Sequence, residues 1–504
     1  MKNILSPLIM GKLGGNRHQV NKVRTDLPAR LPAVRPAAVI GSGIAGLTAA
    51  ALLAERGFSV TLYEKNAYLG GKAGSWQEEL AGGFSARIDH GFHGFFRQYY
   101  NLSSLMGRFD SLRYLAPIED YLISSPGRGA FRFKGIATTP LLNMLSLRKT
   151  GLYRLGEMMK NPESRRLLAF LSYHPERTFE RFDDVSFKDF TEAAGIPPAM
   201  RTMFNTFSRS FFSDTDLMSS AELIKSFHFY FLSNELGLLY DHLTVDFETG
   251  FTAPARHYLE NRGVDIRPSR PVTSIERVGA RLAIQGQRFD FVVLAADAAA
   301  SRRIALDSDC IRAEDPGTYG RLAALKASQG YAVLKVWLDR TTMATVPLFI
   351  ATERAKYLDS ITLNHKVDPA SAAWARESGG GVFELHCYAL PQEEFSERDV
   401  RDGLLREMSE HLPDMAGARV LHEHLQVRRD FTAFHKGMHA ARPVTSTLVP
   451  GLVLAGDWVK LPIPAMLMEA ACSSGLYAAN AIFDRVGVRQ EAVWSVPEKG
   501  LFAP

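Results

Sequence analysis

The chain has 504 residues, 46% of them hydrophobic and 22% charged, which is long and apolar enough for two domains with large cores. A net charge of +5 is modest for this length, and Cys310, Cys387 and Cys472 are too few and too scattered for a disulfide framework or a metal cluster. The composition therefore points to a reducing, cytoplasmic setting with neither a metal centre nor a nucleic-acid partner, and the absence of CxxC, HExxH and Gly-x-Ser-x-Gly removes local support for metal hydrolysis or serine catalysis.

Residues 1–35 carry Lys2, Lys12, Arg17, Lys22, Arg24, Arg30 and Arg35 against Asp26 alone, with several glycines and prolines. They read as a disordered basic leader that either touches anionic lipid or is simply solvated. Its stretch 4–10 is too short, and too broken by Pro7, for an export signal.

The run 37–40 then predicts a strand, Gly41-Ser42-Gly43-Ile44-Ala45-Gly46 a glycine turn, 47–56 a helix and 59–63 a second strand closing on Glu64 and Lys65. Each part has a physical task. Gly41 permits the tight turn, Gly43 lets a pyrophosphate approach the backbone, Gly46 lets helix and strand pack closely, and Glu64 accepts ribose hydroxyls. The helix N-terminus offers unpaired amides to the phosphates. The uncharged stretch 37–54 is long enough to resemble a membrane span, but the glycine positions and the strand after it fit a βαβ unit instead.

Gly70-Gly71-Lys72 follows directly and predicts another close backbone approach, with a cation in reach of phosphate. Near the other end, Gly451-Leu452-Val453-Leu454-Ala455-Gly456-Asp457-Trp458 reads as a buried strand ending in Gly-Asp, followed by a helix over about 465–483. That segment places Asp457 on a ribityl or phosphate region and a helix N-terminus, with Met468 and Ala471, at a flavin's pyrimidine edge. A plain nicotinamide dehydrogenase has no use for it, so FAD is the expected cofactor. Between these ends, 250–262 predicts a helix, 263–266 and 271–275 strands, and 290–295 a further strand ending at Ala295.

Gly41 to Gly46, Glu64, Gly70-Gly71, Asp89-His90-Gly91-Phe92-His93, 290–295 and Gly456-Asp457 together resemble the phytoene desaturase branch of the flavin amine oxidase superfamily, over roughly 36–485. His90 to Leu102, Phe227 to Leu232 and Leu454 to Pro462 resemble, within it, the carotenoid aromatic-ring-forming enzymes of the isorenieratene synthase type. The resemblance implies an α/β, two-domain FAD-dependent oxidoreductase. A Rossmann-like FAD domain is expected from 36–100, 242–300 and 444–485, an interleaved substrate domain from 101–241 and 301–443, and a C-terminal tail at 486–504. It also implies a cofactor contact at Val272 and a carotenoid or other long isoprenoid as substrate, with the electron acceptor, a quinone or oxygen, left open. Lys72 stands where the superfamily usually has arginine, keeping the charge but losing the bidentate geometry.

The insertions are rich in large apolar residues. Phe204, Phe207, Phe211 and Phe212, with Phe227 to Leu232, suit either a tunnel for a long hydrocarbon or ordinary core packing. The segment 141–160 has apolar residues at helical spacing punctuated by basic ones, as expected of a helix docked peripherally on a membrane surface, or of one facing a core. For removal of a proton the candidates are His93, at the family's motif position, then His90, Glu469 and Asp89; His90 reads equally well as a core histidine and Glu469 as the partner of a nearby base. Three functional classes follow. The first is a carotenoid desaturase, specifically one converting a β-ring to an aromatic ring with 1,2-methyl migration, with another isoprenoid desaturase or isomerase beside it; the others are a flavin amine oxidase and a non-catalytic prenyl-binding escort.

Overall fold

Small and branched residues without charge can be buried on every side, and that is how the first βαβ unit is built. A computed structural model describes residues 17–125, 129–147, 162–196, 205 and 207–503. In it β1 (Pro36–Ile40), α1 (Ile44–Glu55) and β2 (Ser59–Tyr63) follow one another directly. Helix α1 is buried from Ile44 to Ala54, which accounts for the lack of charge over that stretch without a bilayer. Among the described residues no helix is long and apolar enough to cross a membrane.

Three strands from far along the chain complete the sheet: β3 (Asp265–Arg267), β4 (Phe291–Leu294) and β5 (Leu452–Leu454). The order is β3-β2-β1-β4-β5, with all pairings parallel. Val39 pairs with Val293 and Val293 with Val453, an apolar row suited to a sheet covered on both faces. Helix α2 (Leu467–Val486) lies against α1. Contact there is backbone to backbone: a Cβ on Gly475 would stand 2.2 Å from the Ala45 carbonyl oxygen, and one on Gly46 1.9 Å from that of Gly41.

A second sheet has seven strands in the order Val420–Arg428, Tyr331–Leu338, Gly381–Cys387, Ser360–Leu363, Phe349–Thr352, Leu122–Ser125 and Gly129–Arg132. It is antiparallel except between Phe349–Thr352 and Leu122–Ser125. Its central strands are buried on both faces, and the cavity described below lies between it and the first sheet's glycine turn.

Several expectations need correction. The disordered leader does not hold for 17–35: His18–Gln19 pair with Trp494–Ser495, Val20 N–H donates to Val493 O, Leu31 N–H donates to Arg56 O, and the Arg17 guanidinium lies 3.7 Å from the centre of the Trp494 ring. Residues 1–16 lie outside the described residues. No strand forms over 271–275, where Pro271 has no N–H for a ladder and Ile275 N–H is taken by Ser308 Oγ. The predicted helix at 250–262 is a π-helical turn at Glu248–Thr252 running into an α-helix at Ala253–Glu260. Of the segment 141–160, Leu142–Leu147 is helical and 148–160 lie outside the described residues.

The contact between α1 and α2 predicts that Gly475→Ala destabilises the folded protein by about 1–3 kcal/mol, the usual cost of forcing atoms into a filled space. Gly320→Ala, in a helix where the new methyl meets nothing within 4 Å, is expected to stabilise by about 0.5–1 kcal/mol. Chemical denaturation of the two variants beside the wild type checks both.

Candidate active site

The glycine turn, the Gly70-Gly71 pair and the Gly-Asp segment meet on one cavity of about 1210 Å³, larger than the space a single drug-sized ligand occupies. Gly41 has φ +100°, and a Cβ there would stand 2.7 Å from the Ala295 carbonyl oxygen, so only glycine fits. Above Gly43 the opposite holds: a Cβ would meet nothing within 4 Å, because that side of the turn faces the cavity. Gly70 N–H donates to Ser42 O, and Gly43 and Gly70 form a parallel bridge, closing the second glycine pair onto the first turn.

Glu64 ends β2, only 4% exposed. Its Oε2 accepts from Ser42 N–H at 3.0 Å and Ser42 Oγ–H at 2.7 Å, and its Oε1 from Asn66 N–H at 2.9 Å. It thus braces the turn and keeps a lone pair for a further hydroxyl. Ile44, Ala45, Lys65, Val272, Ala295, Met468 and Ala471 line the same cavity; Gly46 lies outside it, beneath the turn. Lys65 Nζ is paired with Asp297 at 3.1 Å. Lys72 Nζ has partners other than the expected phosphate: it donates to Asp430 O at 2.8 Å and lies 4.9 Å from the centre of the Phe431 ring.

Asp457 is held from outside its own segment. Thr432 Oγ–H donates to its carboxylate at 2.7 Å. The buried Arg442 guanidinium donates to the carbonyls of Asp457, Trp458 and Val459 at 2.5, 3.1 and 3.3 Å, and to Glu222 Oε1 at 3.0 Å. Sequence reasoning overlooked Arg442, since only the fold brings it to these carbonyls. Just beyond, α2 begins at Leu467 with no side-chain cap, and Leu467 itself has φ +49°, an unfavourable conformation for a branched side chain. Among the described residues no side chain caps the first turn, so its amides are left for a ligand where Leu467 and Met468 line the cavity. A glycine turn with open space above it, a carboxylate at the end of β2 and an uncapped helix start on the same wall together fit FAD.

The proposed proton acceptors separate into two groups. His93 and His90 line the cavity. Burial pushes the His93 imidazole down to about 4, so it is neutral near pH 7. Its Nδ1 lies 2.6 Å from Gly91 O, which can only accept, so Nδ1 carries the hydrogen and Nε2 the lone pair. His90 donates from Nε2 to Tyr331 Oη at 2.6 Å, and Tyr331 donates to Asp430 at 2.8 Å, in keeping with its reading as a satisfied core histidine.

Glu469 and Asp89 are not on the cavity, and this corrects their candidacy. Glu469 is buried and accepts from Asn101 N–H at 2.9 Å, Asn101 Nδ2 at 2.8 Å and Leu102 N–H at 3.0 Å. It caps the helix Tyr100–Arg108 from another element, and burial pushes its carboxyl up to about 8. Asp89 accepts from Phe247 N–H at 3.2 Å, and burial raises it to about 7. Missed by the sequence reading were Glu384 and His386, two apart on a buried strand with Nε2 and Oε1 2.6 Å from each other, His386 lining the cavity.

A raised carboxyl binds its proton more tightly folded than unfolded, so Glu469 contributes stability that is complete below about pH 4.5 and lost as pH rises through about 8. Glu469→Gln, which has no proton to lose, should flatten this alkaline decline in denaturation midpoint while leaving bound flavin unchanged. Gly43→Trp, filling the open space above the turn, should abolish flavin binding, as read from the visible spectrum.

The profile of the flavin containing amine oxidoreductase family matches residues 44–483. The chain is 36% identical to a carotenoid phi-ring synthase of Streptomyces griseus, with 96% of each chain covered. It is 27% identical to a carotenoid phi-ring synthase of Chlorobaculum tepidum over 96% of this chain and 93% of that one. The cyclohexylamine oxidase of Brevibacterium oxydans shares the fold at a TM-score of 0.62, covering 90% of this chain and 99% of that one at 14% identity. The chain thus belongs to the flavin containing amine oxidoreductase family, in its phytoene desaturase branch, and is an FAD-dependent oxidoreductase.

Proposed function

We propose that this enzyme converts a carotenoid β-ring into an aromatic ring by desaturation coupled to a 1,2-methyl migration. The observation that carries this reading is the aromatic wall beyond the cofactor part of the cavity, where Phe96, Tyr99, Tyr230, Phe231, Tyr240 and Phe349 are brought together. One of the Tyr99 and Tyr230 hydroxyls donates to the other at 2.8 Å, and what this surface chiefly offers a polyene is dispersion contact with aromatic rings. Only part of the predicted lining contributes: Phe227, Phe229 and Leu232 are buried in the core, while Phe207, Phe211, Phe212, Tyr230 and Phe231 line the cavity. The identity to phi-ring synthases supports the same substrate class. A small-amine oxidase is disfavoured, since so long an aromatic surface exceeds what a compact ammonium cage needs.

The chemistry defines what the chain must do. A β-ring bears two methyl groups on one quaternary carbon, so one must move to the neighbouring carbon before the ring becomes aromatic. Bound FAD supplies the hydride acceptor for each dehydrogenation. The protein positions the ring, keeps water away and receives the protons. His93, neutral and with its Nε2 lone pair fixed by the Gly91 carbonyl, is the acceptor we assign to the proton lost after methyl migration. Because the substrate resides in a bilayer, we further place the enzyme peripherally on a membrane surface, a docking expected to weaken in salt as the Debye length shrinks to about 3 Å at 1 M. Equal sedimentation with neutral and anionic vesicles would contradict the electrostatic part.

Incubation with β-carotene or γ-carotene followed by product analysis tests the reaction. An aromatic ring is expected; acyclic desaturation, isomerisation alone, or flavin reduction by small amines without carotenoid turnover would sink it. His93→Ala should slow product formation by roughly 10² to 10⁴ with flavin content unchanged.

A further inference from the structure

Aromatising one β-ring removes four hydrogens, two as hydride and two as protons, and the protons come from different carbons. One leaves the carbon that has received the methyl group, the other one of the two remaining methylenes during the second dehydrogenation. The electrons leave with the flavin, reoxidised between the two steps by a quinone or dioxygen. Resting on the function proposed above, we infer that His386, held by Glu384, is a second proton acceptor in the cavity.

Glu384 and His386 share one face of the strand Gly381–Cys387, being two residues apart. Glu384 is 2% exposed and His386 5%. Glu384 Oε1 accepts from His386 Nε2–H at 2.6 Å and from Phe92 N–H at 2.6 Å. Burial works to raise the Glu384 carboxyl, but the His386 hydrogen bond and charge, the cation of Lys335 and the Phe92 amide prevail and hold it below the ordinary value. Lys335 stands opposite Glu384 in the ladder. A carboxylate accepts only, so Nε2 carries the hydrogen and Nδ1 the lone pair, with no hydrogen-bond partner among the described residues. When Nδ1 takes a proton, the N–H bond forms at the expense of a ring C–H bond, whose electron pair stays as the new C=C, and Glu384 stabilises the imidazolium as the carboxylate of a hydrolytic triad does.

The placement relative to His93 gives the pair its role. A Cβ on Gly91 would lie 2.8 Å from His386 Cε1, while the Gly91 carbonyl accepts from His93 Nδ1–H. Two imidazoles, each with its tautomer fixed by a different acceptor, thus flank one glycine on the cavity wall. Gly91 itself has φ +143°, and any larger residue there would displace His386. His386 is a catalytic residue and Glu384 a positioning residue in this arrangement.

His386→Ala, with flavin content and melting temperature recorded first, is expected to lower kcat by roughly 10² to 10⁴, with KM within about threefold and activity partly restored by added imidazole. If the alanine variant does not hold flavin, His386→Gln, close in volume and without a base, is read in its place. Glu384→Gln keeps an acceptor oxygen for Phe92 N–H and Nε2–H but loses the charge. It should lower kcat about tenfold or more with KM nearly unchanged, since an imidazolium that forms without its carboxylate is stabilised less. The other titrating or charged groups facing the pair, Lys335, Asp89, His90, His93 and Tyr388, are unchanged in that variant. Turnover of His386→Ala within about threefold of wild type, or a loss that imidazole does not relieve, overturns the inference. A wild type that forms no aromatic ring overturns the functional reading and this one with it, so the behaviour of the unmodified enzyme tells the two failures apart.

Discussion

Everything at the cofactor end depends on two helices approaching until their backbones touch. Gly46 lets α1 sit on the turn that precedes it, and Gly475 lets α2 sit on α1 at Ala45. Those contacts fix the glycine turn and the uncapped start of α2 on the same wall, although more than four hundred residues of chain separate them. A single methyl group at either glycine would separate the phosphate-facing backbone from the dipole end meant for the flavin ring. From Ile44 to Ala54 helix α1 then has no solvent face left, which is why that stretch carries no charge before Glu55 ends the helix.

Polar groups around the cavity serve mainly to hold backbone in place. Glu64 braces the turn through Ser42, Arg442 gathers three carbonyls of the Gly-Asp segment, and Glu469 caps a helix from a distance. Each is a polar group removed from water and compensated by several donors or acceptors at once, the condition under which burying it is tolerable; Glu469 reaches it with its proton kept, its carboxyl being raised to about 8. The reactive wall follows the same logic on a smaller scale, with the Gly91 carbonyl and the Glu384 carboxylate deciding which nitrogen of each histidine is left basic.

What was legible in the sequence is what is local. A positive φ at Gly41 or Gly456, a close approach at Gly46 and a carboxylate closing β2 are set by neighbours a few residues away, so the glycine spacing discloses them. The pairing of Glu469 was not legible because its partners, Asn101 and Leu102, stand almost 370 residues distant, and two of its three donors are backbone amides, which leave no trace in side-chain pattern. The order of 17–35 was hidden for a related reason: basic composition does not reveal that Trp494–Ser495 supply a pairing strand. Glu384 and His386 did leave a signal, an acid and a histidine at period two inside an otherwise apolar run. Such a face is polar on a strand buried on both sides, which requires partners and so marks a site.

The strand order also governs when this protein comes into being. β1 lies between β2, which follows it at once, and β4; β5, which finishes the sheet, is made after some four hundred further residues. At ribosomal elongation speeds this is a wait of roughly 20–80 s, during which the Gly-Asp segment does not yet exist and, once β3 and β4 have paired, the edge of β4 that β5 will cover stays open. The insertions are synthesised within that interval, so the substrate walls have time to collapse before the sheet that will hold the nucleotide can close. A nascent polypeptide cut short before β5 thus has the glycine turn and Glu64 but lacks Gly456, Asp457 and the start of α2 on the same cavity.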